Sequence, residues 1–159
     1  MKKAVMIAAL VVIGTASIFA FGIGVQGGYS LGPGMGGAAV TFKLDNLPWV
    51  FAADGYLINN NLALGVTADM WIGKGAISKT PVGYFYGWGV AGNVALGGSY
   101  ATFGLYARAL AGLNFMALNN FLEIYLQAAW QPGIQIGNSG VTALLVHFPI
   151  AAGIRFWIK

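Results

Sequence analysis

The 159-residue chain contains no cysteine, which excludes disulfide bonds, thiolate metal sites, a cysteine nucleophile and a lipid-modified cysteine anchor. Charged residues make up only 8% of it, against roughly 25% in an average soluble domain. The eight bases form no clustered stripe of the kind that binds nucleic acid. One histidine and four scattered acids give no metal-ligand spacing, and we predict neither a metal nor a cofactor.

Hydrophobic residues are abundant instead, at 58% of the chain, and the mean hydropathy is +0.73. Water solvates a monomer of this composition poorly, so an ordinary soluble domain is excluded. The chain also holds 25 glycines, but its 10 Phe, 7 Tyr and 5 Trp exclude a disordered, low-complexity segment. These proportions predict a membrane protein.

The N-terminus is typical of a secretory signal peptide, with two lysines, a short apolar segment and then small residues. We predict a signal peptide over residues 1–20, followed by a membrane domain over residues 21–159. Cleavage after Ala16, with Gly14 at position −3, fits the small-residue rule, and cleavage after Ala20, with Ile18 at −3, fits it less well. An uncleaved anchor helix is the alternative, but the apolar segment is short for one.

A period of two residues dominates the rest of the chain. In residues 82–88, for example, the bulky side chains of Val82, Tyr84, Tyr86 and Trp88 alternate with Gly83, Phe85 and Gly87. This alternation is typical of β-strands with one bulky face and one small or polar face. Membrane helices are disfavoured, because glycines and a Pro-Gly pair lie where each helix would have its centre.

Applying this period along the chain predicts an all-β fold, namely an antiparallel transmembrane β-barrel of about eight strands with short loops. The predicted strands are 21–30, 36–44, 49–58, 62–73, 81–96, 100–115, 121–132 and 143–158. Of the predicted outer loops, only the one over residues 133–142 has real length. In such a barrel the bulky face contacts lipid and the other face lines the lumen.

The mid-strand charges all fall opposite the bulky face of their strands, which places them in the lumen. They are Asp54, Asp69, Arg108, Glu123 and Arg155. A charge on the lipid face costs roughly 2–4 kcal/mol at the midplane for Arg or Lys, which explains the pattern. We interpret the set as a salt-bridge network that closes a narrow lumen; a proton or ion path is the alternative. Arg108 and Glu123 are expected to pair across a hairpin.

Many lumen-facing positions are glycine or alanine, which predicts either tight strand curvature around aromatic side chains or a cavity. A cavity would suit a small apolar molecule and would be lined by Tyr56, Trp71, Phe85, Gly87 and Tyr106. Both interpretations place these side chains inside the barrel.

Two prolines lie in the last two predicted strands, where neither can donate to the ladder. Pro132 and Pro149 therefore mark either a lateral gap in the wall or a local bulge. The single histidine, His147, faces inward, but the sequence offers it no evident nucleophile or orienting acid. We therefore predict no catalytic residues and no enzyme.

Three segments of the second half resemble a known group of membrane barrels. They are ARALAGLNF (107–115), NFLEIYL (120–126) and IAAGIRFW (150–157). The chain resembles the uncharacterised small outer-membrane β-barrels of spirochaetes, which are similar to the OmpA transmembrane domain and to the OmpX and OmpW barrels.

The resemblance implies an outer-membrane location and no established enzymatic activity. It also implies contact with outer-membrane lipid and recognition of the last strand by the barrel assembly machinery, although the chain ends in Lys159 rather than an aromatic residue. The prediction is therefore a non-enzymatic, porin-like barrel with a structural or surface role. The alternatives are OmpW-like transport of small hydrophobic molecules with lateral exit, and binding of a host protein through the outer loops, as some members of the group do.

Overall fold

The computed structural model describes residues 20–58, 61–78, 80–97, 100–138 and 140–158. The predicted signal peptide, Ala20 apart, lies outside these residues. The strands are β1 (Phe21–Leu31), β2 (Met35–Leu44), β3 (Trp49–Ile58), β4 (Asn61–Ala76), β5 (Val82–Gly97), β6 (Tyr100–Ala117), β7 (Leu122–Trp130), β8 (Gly133–Gly137), β9 (Gly140–Leu144) and β10 (Phe148–Ile158). Within the described ranges no helix has the length and apolarity needed to cross a membrane.

These ten segments form a closed barrel of eight antiparallel strands. β7 and β8 both pair with β6, so they are consecutive parts of one barrel strand. β9 and β10 are likewise two parts of the last one, because β9 pairs with β8 and β10 with β7. Pairing of β1 with β10 and of β5 with β6 closes the ring. The predicted eight-stranded antiparallel barrel is confirmed.

The strand register fixes the tilt and the width of the barrel. Starting at Gly28 on β1, the paired residue on each successive strand from β2 to β5 leads to Thr102 on β6. In the opposite direction, through β10 and β7, the pairs lead from Gly28 to Gly112 on the same strand β6. The two arrivals differ by ten residues (112 − 102) along β6. With about 3.3 Å per residue and about 4.8 Å between strands, this offset gives a tilt of about 41° and a backbone radius of about 8 Å. Such a lumen has room for side chains and little else.

The predicted long loop over residues 133–142 is wrong. β8 and β9 extend the last hairpin through this region, and only residues 138 and 139 connect them. Ile134 and Ile136 alternate with inward glycine and glutamine, so the period of two continues. The glycines here leave room for neighbouring side chains inside a narrow barrel and do not mark a loop. β4 and β6 are also longer than predicted, ending at Ala76 and Ala117.

The two faces of the wall differ sharply in chemistry. Along β7, every second side chain is buried and the others are exposed. The outward set is large and apolar, with Val66 61% and Val90 53% exposed. Among the described strand residues, no charged side chain belongs to this outward set; the exposed Lys74 shares the face of Phe85, near the end of β4.

Candidate functional site

The lumen is divided into two halves along the barrel axis. The half that contains Phe21 and Ile158, the outer ends of β1 and β10, is filled by side chains, which we call the plug. Its members are Lys43, Trp71, Phe85, Glu123, Tyr125, Arg155 and Trp157, all less than 10% exposed. The other half contains a cavity of about 100 Å³.

A fully buried ion pair forms the centre of the plug. Glu123 on β7 and Arg155 on β10 are directly paired in the register, and Arg155 Nη1 lies 2.7 Å from Glu123 Oε2. Trp157 Nε1 donates to the same oxygen at 3.1 Å, and Asn114 Nδ2 donates to Oε1 at 2.9 Å. Glu123 thus has both oxygens satisfied, as a buried carboxylate requires.

Aromatic rings hold the cations of the plug. The Arg155 guanidinium lies 4.8 Å from the Tyr125 ring centre and 5.7 Å from that of Trp71. Trp71 in turn stacks on Phe85, with ring centres 3.8 Å apart. These cation–π contacts offset part of the cost of burying a guanidinium whose Nε and Nη2 have no hydrogen-bond partner.

Lys43 is a plug residue that the sequence interpretation missed. It is 4% exposed, its ammonium donates to Leu47 O at 3.1 Å, and it lies 5.1 Å from the Trp71 ring centre. The signal was available, because Lys43 lies opposite the outward face of Phe42 and Leu44. Only mid-strand charges are predicted to lie in the lumen, and Lys43 lies next to the end of the predicted strand 36–44.

Glycines in the wall make room for the plug. A Cβ at Gly22 would overlap the Arg155 side chain, and one at Gly112 would overlap the Phe85 ring. The small lumen-facing residues therefore accommodate large neighbours in this half of the barrel.

A second ion pair separates the plug from the cavity. Arg108 Nε lies 2.8 Å from Asp69 Oδ1 and Nη2 lies 3.2 Å from Oδ2, while Nη1 donates to Gln131 Oε1. Asp69 and Arg108 sit on either side of Gly89 in the register, and its missing side chain lets them meet.

The expected pair between Arg108 and Glu123 does not form, and each residue has another partner. Glu123 is level with Met116 on β6, eight positions from Arg108 along that strand (116 − 108). A hairpin places two strands side by side without fixing which residues are level, so sequence adjacency alone chose the wrong partner.

The cavity is bordered by polar side chains from most of the barrel. Its lining includes Gln26, Ser30, Asp54, Tyr56, Asn93, Tyr106, Arg108, Gln127, Gln131 and His147. Tyr106 accepts from Gln135 Nε2 at 2.9 Å and donates to Asn93 at 3.4 Å, and Gln26 accepts from Tyr125 at 2.9 Å. Asp54 is only partly buried, and its Oδ1 packs against Gly65 without a hydrogen-bond partner.

The structure places the residues of the predicted cavity lining in both halves of the lumen. Tyr56 and Tyr106 border the cavity, but Trp71, Phe85 and Gly87 do not. Trp71 and Phe85 belong to the plug, where their rings stack on each other. A Cβ at Gly87 would overlap the Met70 carbonyl, so this glycine lies against the neighbouring strand.

His147 has a partner that the sequence did not predict. Its Nε2 lies 3.1 Å from Ser30 Oγ on the neighbouring barrel strand, and its ring packs edge-on against Tyr106 at 5.5 Å. His147 Nδ1 has no hydrogen-bond partner, so no carboxylate orients the ring. A serine and a histidine in contact lack the third member that a hydrolytic triad uses.

Pro132 and Pro149 flank an interruption of the ladder between the last two barrel strands. Four residues on one side (129–132) face five on the other (145–149) between the pairs that resume the ladder, which is the count of a β-bulge. Gln131 N donates to His147 O at 2.8 Å across the interruption, and Trp130 Nε1 donates to Leu145 O at 2.9 Å. These bonds tie the two strands together at this height.

In the part of the chain that the structure describes, no group of three or more histidine, aspartate or glutamate side chains could hold a metal ion.

Comparison with known proteins gives a fold likeness only. The chain is similar to the crystal structure of Neisserial surface protein A, with a TM-score of 0.47 and 16% sequence identity over 87% of this chain and 96% of that chain. No protein-family model and no curated protein matches the chain. The assignment of the barrel rests on the strand register itself, and membership of the spirochaete group stays a prediction.

Proposed function

We propose that the protein is a non-enzymatic, integral outer-membrane β-barrel with a structural or surface role, whose lumen is closed by the plug. The observation that carries this proposal is the reversal of polarity across the wall. Buried ion pairs lie inside, and an uninterrupted apolar surface lies outside.

The membrane location is supported by the outward face of the strands. Closed barrels and helices are the two structures that satisfy every backbone group within a bilayer. The outward side chains include Phe51, Trp88, Phe121, Trp130 and Phe156, each more than 40% exposed. Water would disfavour such a surface strongly, whereas lipid and an interfacial aromatic belt suit it. Among bacterial membranes, barrels of this kind belong to the outer membrane.

Recognition of the last strand by the barrel assembly machinery belongs to the same proposal. Phe148, Ile150, Ile154 and Phe156 of β10 all point outward, which keeps an alternating apolar pattern at the C-terminus.

Closure of the lumen is supported by the packing of the plug. Arg155 is 0% and Glu123 1% exposed, and Trp71 and Phe85 stack beside them. A lumen with a backbone radius of about 8 Å leaves no water-filled path past so many large side chains.

Conductance in planar lipid bilayers tests this closure. The wild-type protein is expected to give no current steps, whereas the double variant Trp71→Ala/Arg155→Ala removes two large plug side chains and should give discrete steps. Trp88→Ala is the matched control, because this tryptophan is 48% exposed on the outer face. Current steps from the wild type would contradict a closed lumen, and a silent double variant would show that Trp71 and Arg155 do not close it.

The absence of enzymatic activity is tested at the most plausible nucleophile. Ser30 contacts His147, but the ring has no orienting acid and lies 4% exposed. A fluorophosphonate probe that labels activated serines should therefore leave the folded protein unlabelled. Labelling that disappears in both Ser30→Ala and His147→Ala would overturn the non-enzymatic assignment.

A further inference from the structure

The cavity contains a carboxylate with no counter-ion. Of the lumen charges in this half, Asp69 and Arg108 neutralise each other, and each of the three guanidinium nitrogens of Arg108 donates to Asp69 or Gln131. Asp54 forms no ion pair within 4 Å among the described residues, and its neighbour in the cavity is the hydroxyl of Tyr56. The cavity therefore holds one carboxylate that has no ion pair among the described residues and whose Oδ1 has no hydrogen-bond partner.

We propose that this cavity is a binding site for a small organic cation of the ammonium class, with Asp54 as its counter-ion. The inference goes beyond the closed structural barrel, because the plug and the cavity occupy different halves of the lumen.

The lining favours an ammonium group over other ligands. Tyr56 and Tyr106 bring aromatic rings to the cavity lining, which can make cation–π contacts, and the amide oxygen of Gln127 and the hydroxyl of Ser30 can accept from N–H donors. An anion would find the Arg108 guanidinium already occupied by Asp69 and Gln131. Calcium takes roughly six to eight oxygen ligands and magnesium needs a near-ideal octahedron of them, whereas Asp54 is the one carboxylate among the described residues that line this cavity.

The size and position of the cavity limit the ligand. A volume of about 100 Å³ is several times the roughly 10–15 Å³ that one water molecule needs, so a small organic cation fits. The cavity extends to Ser30 and Met35, which border the turn at residues 32–34. Entry is therefore possible from the end of the barrel opposite Phe21 and Ile158, without disturbing the plug.

Calorimetric titration of the folded mature protein in detergent, with ethylammonium chloride as the probe at constant ionic strength in NaCl, tests the site. We expect saturable binding by the wild type, and a loss of affinity on the order of tenfold to a hundredfold in Asp54→Asn, the range expected for a charge-assisted hydrogen bond. Asp45→Asn is the matched control, because it removes the same charge from an exposed turn; its affinity should equal that of the wild type. Ethanol, a neutral molecule of similar size, should not bind.

Several outcomes would overturn the proposal. They are the absence of saturable ethylammonium binding to the wild type, equal affinities for Asp54→Asn and Asp45→Asn, and equal binding of ethanol. Should Asp54→Asn not fold, Ala39→Leu replaces it, because this buried alanine borders the cavity and a larger side chain fills the site without changing its charge. Ala39→Leu is expected to abolish binding, and unchanged binding would place the ligand elsewhere.

Discussion

Breaking the buried ion pair of the plug should have unequal effects on its two members. Glu123→Leu leaves Arg155 buried with no acceptor, because Nη1 loses its single bond and Nε and Nη2 have none. Removal of one member of a buried pair costs about 3–5 kcal/mol, and we expect about 5 kcal/mol here. Arg155→Met leaves Glu123 with its bonds from Asn114 and Trp157, so we expect about 3 kcal/mol.

The double variant Glu123→Leu/Arg155→Met removes both charges and replaces them with apolar side chains. Its loss of stability should be about 3 kcal/mol smaller than the sum of the single losses, at the upper end of measured coupling energies. The assay is equilibrium urea unfolding in lipid vesicles, followed by tryptophan fluorescence. Lys74→Met, which removes an exposed charge, is the control and should change stability by less than about 0.5 kcal/mol. A double variant whose loss of stability equals the sum of the two single losses would refute this account of the plug. A larger loss for Arg155→Met than for Glu123→Leu would refute it as well.

Three further predictions concern the wall and the packing of the barrel. Gly24→Ala should cost about 1–3 kcal/mol in the same unfolding assay, because its Cβ would overlap the Ile154 carbonyl; Gly27→Ala on the same strand meets nothing within 4 Å and should be nearly neutral. Val90→Arg, at the centre of the outward face of β5, should cost about 2–4 kcal/mol in lipid, whereas Leu96→Arg near the strand end should cost at most about 1 kcal/mol. Equal costs at the two depths would contradict the proposed membrane position. Phe85→Ala should lower the free energy of unfolding by about 3–5 kcal/mol, because this ring is 2% exposed and stacked in the plug. A loss below about 1 kcal/mol would show that the plug is not tightly packed.

The barrel could be predicted from the sequence because a period of two gives each side chain one of two faces. The same rule assigns Asp69 and Arg155 to the interior, where the structure has them. It applies equally to Lys43, which lies next to the end of the predicted strand 36–44, and to Ile134 and Ile136, whose glycine-rich segment is predicted as a loop. In a narrow barrel glycine often makes room for a neighbour, so it marks the end of a strand poorly.

The pairing inside the lumen could not be predicted, because it depends on register. Asp69 meets Arg108 only because both are level with Gly89, and no pattern within one strand contains that information. The contact between Ser30 and His147 likewise joins the first and last barrel strands, which meet only when the barrel closes. The division of the lumen into a plug and a cavity follows from these cross-strand contacts.

Gel mobility of the mature protein after refolding into phospholipid vesicles, compared with and without boiling, tests the closed membrane barrel most directly. A closed barrel with the buried ion pairs of Arg108 and Arg155 should resist detergent at room temperature. The unboiled sample is then expected to migrate as a distinct, compact band that shifts to the unfolded position on boiling. Identical migration of both samples, under conditions in which the protein is inserted in the vesicles, would contradict the closed barrel.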